Sequence, residues 1–112
     1  MEEIQAVRAL SALAHDHRLR SFRMLVRAGP DGLAAGDIAQ RLGIAPSSLS
    51  FHLAQLESAG LVSSRRAQRH IYYALDVEVT RNLLGFLIDD CCNGRPELCG
   101  SPVALERAGR PA

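Results

Sequence analysis

The chain contains 112 residues, with 13 arginines, no lysine, 12 acidic residues and a formal net charge of +1. This length fits one compact domain and argues against a two-domain enzyme. The longest apolar run, residues 83–88, has six residues, whereas a membrane helix needs roughly 20, and an odd count of three cysteines argues against a closed disulfide framework. We therefore expect a cytoplasmic protein with no membrane span.

Two amphipathic helices are predicted at the start of the chain, because apolar residues recur there every three or four positions. Their apolar positions are Ile4, Val7, Leu10 and Leu13 in the first helix and Leu19, Phe22, Leu25 and Val26 in the second. The polar segment at residues 15–17 predicts a break between them. After a cluster of helix breakers at residues 28–32, a short third helix is predicted to end at Gly43.

A fourth helix is predicted from Pro46 to Ala59, with Gly60 as its left-handed stop. Leucines at positions 49, 53 and 56 define its buried face. At about 100° per residue the opposite face collects small, polar and nearly uncharged residues. They are Ser47, Ser50, Phe51 and Ala54, with Ser48 and Gln55 on the flank. Because solvated faces normally carry Glu and Arg, we expect this face to contact a partner.

The next two segments, residues 61–66 and 70–75, alternate like strands and predict a β-hairpin with a turn at residues 67–69. In the second strand Ile71, Tyr73 and Leu75 are predicted to point inward. Residues 61–75 contain no acidic residue and carry a local charge of +3. The three basic residues are Arg65, Arg66 and Arg69. The hairpin therefore forms a basic patch that the near-neutral total charge conceals.

Asp76 is predicted to cap a fifth helix that runs to Asp90. The apolar stripe of this helix consists of Val79, Leu83, Phe86 and Leu87. Because the stripe is longer than a small core needs, we expect the fifth helix to pair with a second subunit.

Two short helices joined by a three-residue turn and followed by a basic hairpin form the plan of a winged helix-turn-helix. We therefore predict a mainly α fold of about five helices and a two-stranded wing, in which the fourth helix enters the major groove of double-stranded DNA. Small serines let its backbone approach base edges, Phe51 can contact a thymine methyl, and the wing arginines attract phosphates. The predicted DNA-binding residues are Ser47, Ser48, Ser50, Phe51, Gln55, Arg65, Arg66 and Arg69.

Structural interpretations of the same residues stay open. A serine cluster at the start of a helix often caps that helix, and arginines in a hairpin often protect a solvated sheet edge. His52 lies beside the leucine stripe of the fourth helix, so we expect it to pack there rather than to contact a base.

The stretch from Leu33 to Leu75 resembles the ArsR/SmtB family of winged-helix repressors. The resemblance rests on residues 37–44, 49–53 and 56–62, which read DIAQRLGI, LSFHL and LESAGLV. With the flanking helices it covers about residues 4–99, so we place a DNA-binding and dimerisation domain at residues 1–99 and a flexible tail at 100–112. It implies a homodimer joined through the first and last helices, which leaves operator DNA when a metal or metalloid binds.

Three cysteines, Cys91, Cys92 and Cys99, lie at and beyond the predicted end of the fifth helix. Gly94 and Pro96 both end helices, so the chain can reverse and bring the third cysteine toward the other two. Zinc prefers four ligands in a tetrahedron, whereas a soft trivalent metalloid suits three thiolates. We therefore predict that arsenic(III), or alternatively antimony(III), binds these three cysteines, and we expect no organic cofactor.

Comparison with the family supports the same ligand. Its well-known arsenite, lead and cadmium sensors carry cysteines at the start of the third helix, where this chain has Ala34 and Gly36. The ending CCNGRPELC, by contrast, is similar to a branch of the family that senses arsenic(III) with a C-terminal cysteine triad. The last helix lacks the histidines of the family's zinc site, which disfavours zinc and nickel.

Three alternatives to this site remain open. The cysteines can act as small buried hydrophobes, as a redox switch that forms a disulfide, or as a two-thiolate site for methylated arsenicals. An enzyme is not expected, because phosphatase-like arsenate reductases need an arginine six residues after the cysteine. The residues at those positions are Glu97, Leu98 and Leu105. The sequence thus predicts a metalloid-responsive transcriptional repressor of arsenical resistance that has no catalytic activity.

Overall fold

The computed structural model describes the backbone of residues 1–92 and the side chains of residues 1–88. Within that part the chain forms five helices and three strands, which confirms the predicted winged-helix fold class. The elements are α1 Glu3–Leu13, α2 Asp16–Ala28, β1 Leu33–Ala34, α3 Ala35–Leu42, α4 Pro46–Ser58, β2 Val62–Ala67, β3 His70–Leu75 and α5 Val77–Cys92. No helix in the described range is long and apolar enough to cross a membrane.

The helix ends follow local chemistry. His15 precedes α2 and its side chain accepts a hydrogen bond from the backbone N–H of His17, so the polar segment breaks the helix as predicted. Gly43 adopts the left-handed conformation, with φ 69°, and ends α3. The carboxylate of Asp76 accepts a hydrogen bond from Val79 N at 2.9 Å and begins α5. Each of these boundaries agrees with the prediction.

The hairpin of β2 and β3 forms the two-stranded wing as predicted, and a third strand that was not predicted completes a sheet of order β1-β3-β2. The short strand β1 pairs antiparallel with β3, with Leu33 opposite Tyr73. Two residues are too few to produce an alternating pattern, which is why no signal in the sequence marks this strand. Gly32, with φ 71°, leads into β1, and a Cβ atom there would collide with the carbonyl oxygen of Tyr73.

The turn of the hairpin is one residue shorter than predicted. Ala67 belongs to β2 and pairs with His70, which leaves Gln68 and Arg69 as a two-residue loop. Gln68 takes a positive φ of 59°, as two-residue hairpin loops require of at least one residue.

The first helix turns its alanines, and not most of its large apolar residues, toward the core. Ala6, Ala9 and Ala12 are buried, whereas Ile4, Val7 and Leu10 are 64%, 55% and 41% exposed. Alanine lets helices approach closely, and α1 packs against α2, α4 and α5. The larger apolar residues are therefore left as an outward stripe. In α2 likewise, Leu25 is buried while Leu19 and Val26 are exposed.

The core is built around the leucines of α4, with residues of α2, α3, β2 and α5 around them. Its buried members beyond α1 are Leu25, Ile38, Ala39, Leu49, Leu53, Leu56, Leu61, Val62 and Leu83. Tyr73 and Leu75 pack against this cluster as predicted. Ile71 does not, because it lies opposite Arg66 near the hairpin tip, beyond the core, and is 39% exposed.

Candidate nucleic-acid interface

The second helix of the α3–α4 pair presents a polar face to solvent. Its other face is fixed by Leu49, Leu53 and Leu56, which are at most 1% exposed. This anchoring leaves five of the predicted DNA-binding residues on the surface. They are Ser47, Ser48, Ser50, Phe51 and Gln55. Phe51, a large aromatic side chain that is 59% exposed, stands in the middle of this group.

The serines on this face do not cap α4. The N-cap residue is Ala45, which forms no side-chain cap hydrogen bond, and Pro46 occupies the first turn. Among the described residues, the hydroxyls of Ser47, Ser48 and Ser50 have no hydrogen-bond partner. Three small donors and acceptors are therefore free to contact another molecule, and the capping interpretation of the cluster is wrong.

The three wing arginines are exposed but not equivalent. Arg65 donates a hydrogen bond to the carbonyl oxygen of Asp31 at 3.0 Å, and its guanidinium carbon lies 4.7 Å from the centre of the Tyr72 ring. Within the described part of the chain, Arg66 and Arg69 form no hydrogen bond or ion pair. Arg65 thus ties the hairpin to the loop before β1, and the other two are available to an anion. Nothing in the sequence distinguishes them.

A second contact fixes the wing beside α4. Ser64 of β2 donates a hydrogen bond to the Glu57 carboxylate near the end of α4, at 2.8 Å. Burial, and then the charge of Glu57, raise the pKa of the neighbouring Tyr73. The basic hairpin is therefore tied to the end of α4 by a hydrogen bond.

A cluster of imidazole rings lies between the start of α2 and the middle of α4. The ring of His52 lies 4.3 Å from that of His15 and 5.6 Å from that of His17, measured between centroids. This gives His52 the packing role that its position predicted. Burial, and then the charges of His15, Arg18 and His17, lower the pKa of His52. The cluster joins residues far apart in the sequence, so no spacing rule reveals it.

Nδ1 of His15 has two close polar neighbours at the start of α2. It lies 3.2 Å from the backbone nitrogen of His17, which donates to a lone pair, and 3.3 Å from a carboxylate oxygen of Asp16, which pairs with a proton. The Asp16 carboxylate itself accepts a hydrogen bond from His17 N, and this contact lowers its pKa. The backbone N–H of His17 is therefore shared between His15 and Asp16 at the start of α2.

The predicted metalloid ligands fall outside this description. Cys91 and Cys92 end α5 in the backbone, but their side chains and all of Cys99 lie outside the described residues. Among the side chains that are described, no three metal-ligating groups are arranged to hold a metal ion. The three-cysteine site stays a prediction.

Known proteins with similar sequences include transcriptional regulators. A family model of a helix-turn-helix domain matches residues 13–65. NolR, a nodulation protein of Rhizobium meliloti, is 38% identical over 80 residues, which are 71% of this chain and 63% of that protein, so the match spans less than two thirds of NolR. The transcriptional regulator YgaV of Escherichia coli is 32% identical over 79% of this chain and 87% of its own. The arsenic resistance regulator ArsR1 of Pseudomonas putida is 36% identical over 60% of this chain and 51% of its own.

Solved structures share the fold. HlyU of Vibrio cholerae superposes with a TM-score of 0.63 at 33% identity, covering 81% of this chain and 99% of its own, and its reduced form gives a TM-score of 0.61. A homodimeric winged helix-turn-helix DNA-binding domain of Mycobacterium bovis superposes with a TM-score of 0.62 at 32% identity. The match covers 77% of this chain and 79% of that domain.

Proposed function

The chain belongs to the ArsR/SmtB family of winged-helix transcriptional regulators, and we propose that it is a repressor whose homodimer binds operator DNA and releases it on binding arsenic(III). The observation that carries the DNA-binding part is the uncharged face of α4, which has no partner among the described residues, beside a wing that contains no acidic residue. The relative YgaV is a transcriptional regulator, which supports a regulatory function for this chain rather than an enzymatic one. Such a protein acts in the cytoplasm, where operator DNA and reduced thiols coexist.

Each surface feature of α4 has a task in this proposal. The hydroxyls of Ser47, Ser48 and Ser50 form hydrogen bonds with base edges in the major groove, and Phe51 packs on a thymine methyl. Because Arg66 and Arg69 have no partner among the described residues, their charges are available to phosphates that flank the groove. Arg65 holds the hairpin in position for them.

The homodimer is supported by the outward apolar stripe of α1. Ile4, Val7 and Leu10 form that stripe, and Leu84 of the adjacent α5 is 54% exposed. Large apolar side chains exposed in this number typically lie at protein interfaces. The Mycobacterium bovis relative is a homodimer. Two copies joined here would present two α4 helices to successive major grooves of a palindromic operator.

The inducer is proposed from ligand chemistry. Three thiolates match the three bonds of arsenic(III) or antimony(III), and the relative ArsR1 is an arsenic resistance regulator. Cys91 and Cys92 are the last residues of α5, a helix in contact with α1. Ligation there acts on the proposed dimer interface, and it drives release only by favouring the dimer state that binds DNA weakly.

A thiol redox switch is the second candidate, because the relative HlyU has been solved in a specifically reduced form. In this case two of the three cysteines would lose two electrons and two protons to peroxide and form a disulfide. A disulfide uses only two of the three cysteines, whereas a trivalent metalloid uses all three. The metalloid is therefore the preferred inducer.

One experiment separates these functions. A duplex is first selected from a random double-stranded DNA library by binding to the protein, and its anisotropy is then followed under reducing conditions. Parallel titrations use arsenite, zinc, cadmium and peroxide. Release by arsenite alone supports the proposal, release by peroxide alone supports the redox switch, and failure to select any duplex contradicts the repressor function.

A further inference from the structure

A single arginine of α2 connects α1 with α4. Nε of Arg18 donates a hydrogen bond to the carbonyl oxygen of Ala12, in the last turn of α1, at 2.7 Å. Its Nη1 lies 3.4 Å from Nδ1 of His52 in α4. A guanidinium has donors only, so Nδ1 of His52 must hold a lone pair in this contact, and the imidazole is neutral with its proton on Nε2.

His52 also contacts the exposed face of α4 that is proposed to bind DNA. The His15 ring lies against the His52 ring, with centroids 4.3 Å apart and the planes tilted by 37°, so the imidazole contacts both Arg18 of α2 and the residue that caps α2. Phe51, the exposed aromatic residue of α4, lies next to it with ring centroids 5.7 Å apart. A change in the position of the His52 ring therefore also moves Phe51 and the turn of α4 to which both residues belong.

Arg18 also contacts α1, which belongs to the proposed dimer interface. Ala12 belongs to the buried stripe of α1, whose opposite stripe is Ile4, Val7 and Leu10. In a dimer on palindromic DNA the two reading helices must meet grooves about 34 Å apart, so their angle to the dimer scaffold decides whether both fit. The Arg18 side chain contacts both α1, which belongs to the proposed dimer interface, and α4, which is proposed to enter the major groove.

We propose that Arg18 is a positioning residue, which sets the orientation of α4 relative to α1 through Ala12 and His52 without contacting DNA. The inference rests on the proposed DNA-binding function. Loss of the contact is expected to weaken operator binding about tenfold, because α4 is then free to adopt angles at which only one half-site fits, and this corresponds to ~1.4 kcal/mol.

The test uses the duplex selected from the random library and four proteins: wild type, Arg18→Gln, His52→Gln and the double variant. Arg20→Gln is the matched control, because Arg20 is an exposed arginine of the same helix and its loss changes the charge equally. We expect each single variant to bind about tenfold more weakly and the double variant no more weakly than either. The salt dependence of binding, the dimer mass in sedimentation and the affinity of Arg20→Gln should stay at wild-type values.

A pH profile supplies a readout that a purely structural arginine would not move. Protonation of His52 puts a hydrogen on Nδ1, which then faces the Arg18 guanidinium, so the contact is lost in acid. The other titratable groups that face the ring are His15, Asp16 and His17, and they are the same in wild type and Arg18→Gln. The affinity ratio of these two proteins should therefore fall toward one as the pH drops from about 7.5 to about 5.5.

Several results would overturn the inference. A salt slope reduced by about one for each Arg18 lost would make this residue a phosphate contact. Additive losses in the double variant, or a pH-independent ratio, would remove the role of His52. An equal loss in Arg20→Gln would assign the effect to charge rather than to the contacts of Arg18. If Arg18→Gln fails to fold, wild-type affinity in His52→Gln has the same force. Wild-type protein that binds no duplex would instead overturn the proposed function.

Discussion

Replacing Arg66 by glutamine tests the wing, because this exposed side chain has no partner within the described residues. The change keeps a polar side chain and removes one charge per subunit, so a dimer loses two phosphate contacts. The slope of log affinity against log salt should then fall in magnitude by about 1.8. Between about 50 and 200 mM salt, the affinity of the variant should therefore drop about tenfold less than that of the wild type.

The assay is a salt titration of fluorescence anisotropy on the selected duplex and on a shuffled duplex of equal composition. Both duplexes should show the same change in slope, since phosphate contacts carry no sequence information. Arg81→Gln on α5 is the control and should keep the wild-type slope. Arg65→Gln provides a contrast, because it loses the Asp31 hydrogen bond and the Tyr72 contact, which together stabilise the fold by about 1–2 kcal/mol. An unchanged slope in Arg66→Gln, or an altered base preference, would refute this account of the wing.

Three further outcomes are expected. Ser50→Ala should change the base preference in a repeated library selection and keep the salt slope, whereas an identical selected sequence would argue against base contact by this residue. Gly32→Ala should lower the free energy of unfolding by about 2 kcal/mol or more in urea denaturation, because the left-handed backbone and the Tyr73 carbonyl both oppose a Cβ atom; a wild-type midpoint would contradict the close approach of β1 and β3. The lowered pKa of His52 means that the folded protein binds fewer protons than the unfolded chain. Stability should therefore fall as the pH drops below about 6.5, and His52→Gln should show a smaller fall; an equal fall would assign it to other groups.

The helix boundaries could be predicted because they depend on local chemistry. Gly43, Pro46 and Asp76 act within a turn of their own position, and the periodic leucines of α4 mark its buried face. The face of α1 could not be predicted in this way. Periodicity identifies an apolar stripe but does not say whether the core or a second subunit covers it, and here the alanines face the core. The strand β1 depends on a partner some 40 residues away, namely Tyr73 opposite Leu33.

The candidate interface was predictable in composition but not in its contacts. The bare face of α4 follows from helical geometry, and the exposed serines and Phe51 are where that geometry places them. The different roles of Arg65 and Arg66 depend on Asp31 and Tyr72, which approach only in the folded chain. The contacts of His52 with Arg18 and His15 likewise form only when α2 packs on α4. Chemistry that depends on tertiary neighbours leaves no mark in residue spacing.

The most direct test of the proposed repressor is an arsenite titration of its complex with the selected duplex, comparing wild type with Cys99→Ser under reducing conditions. Both proteins should bind the duplex equally, arsenite should release the wild type, and the variant should need at least about tenfold more arsenite. A variant that is released at the wild-type concentration would reduce the site to Cys91 and Cys92. A wild-type complex that withstands arsenite would contradict the central claim.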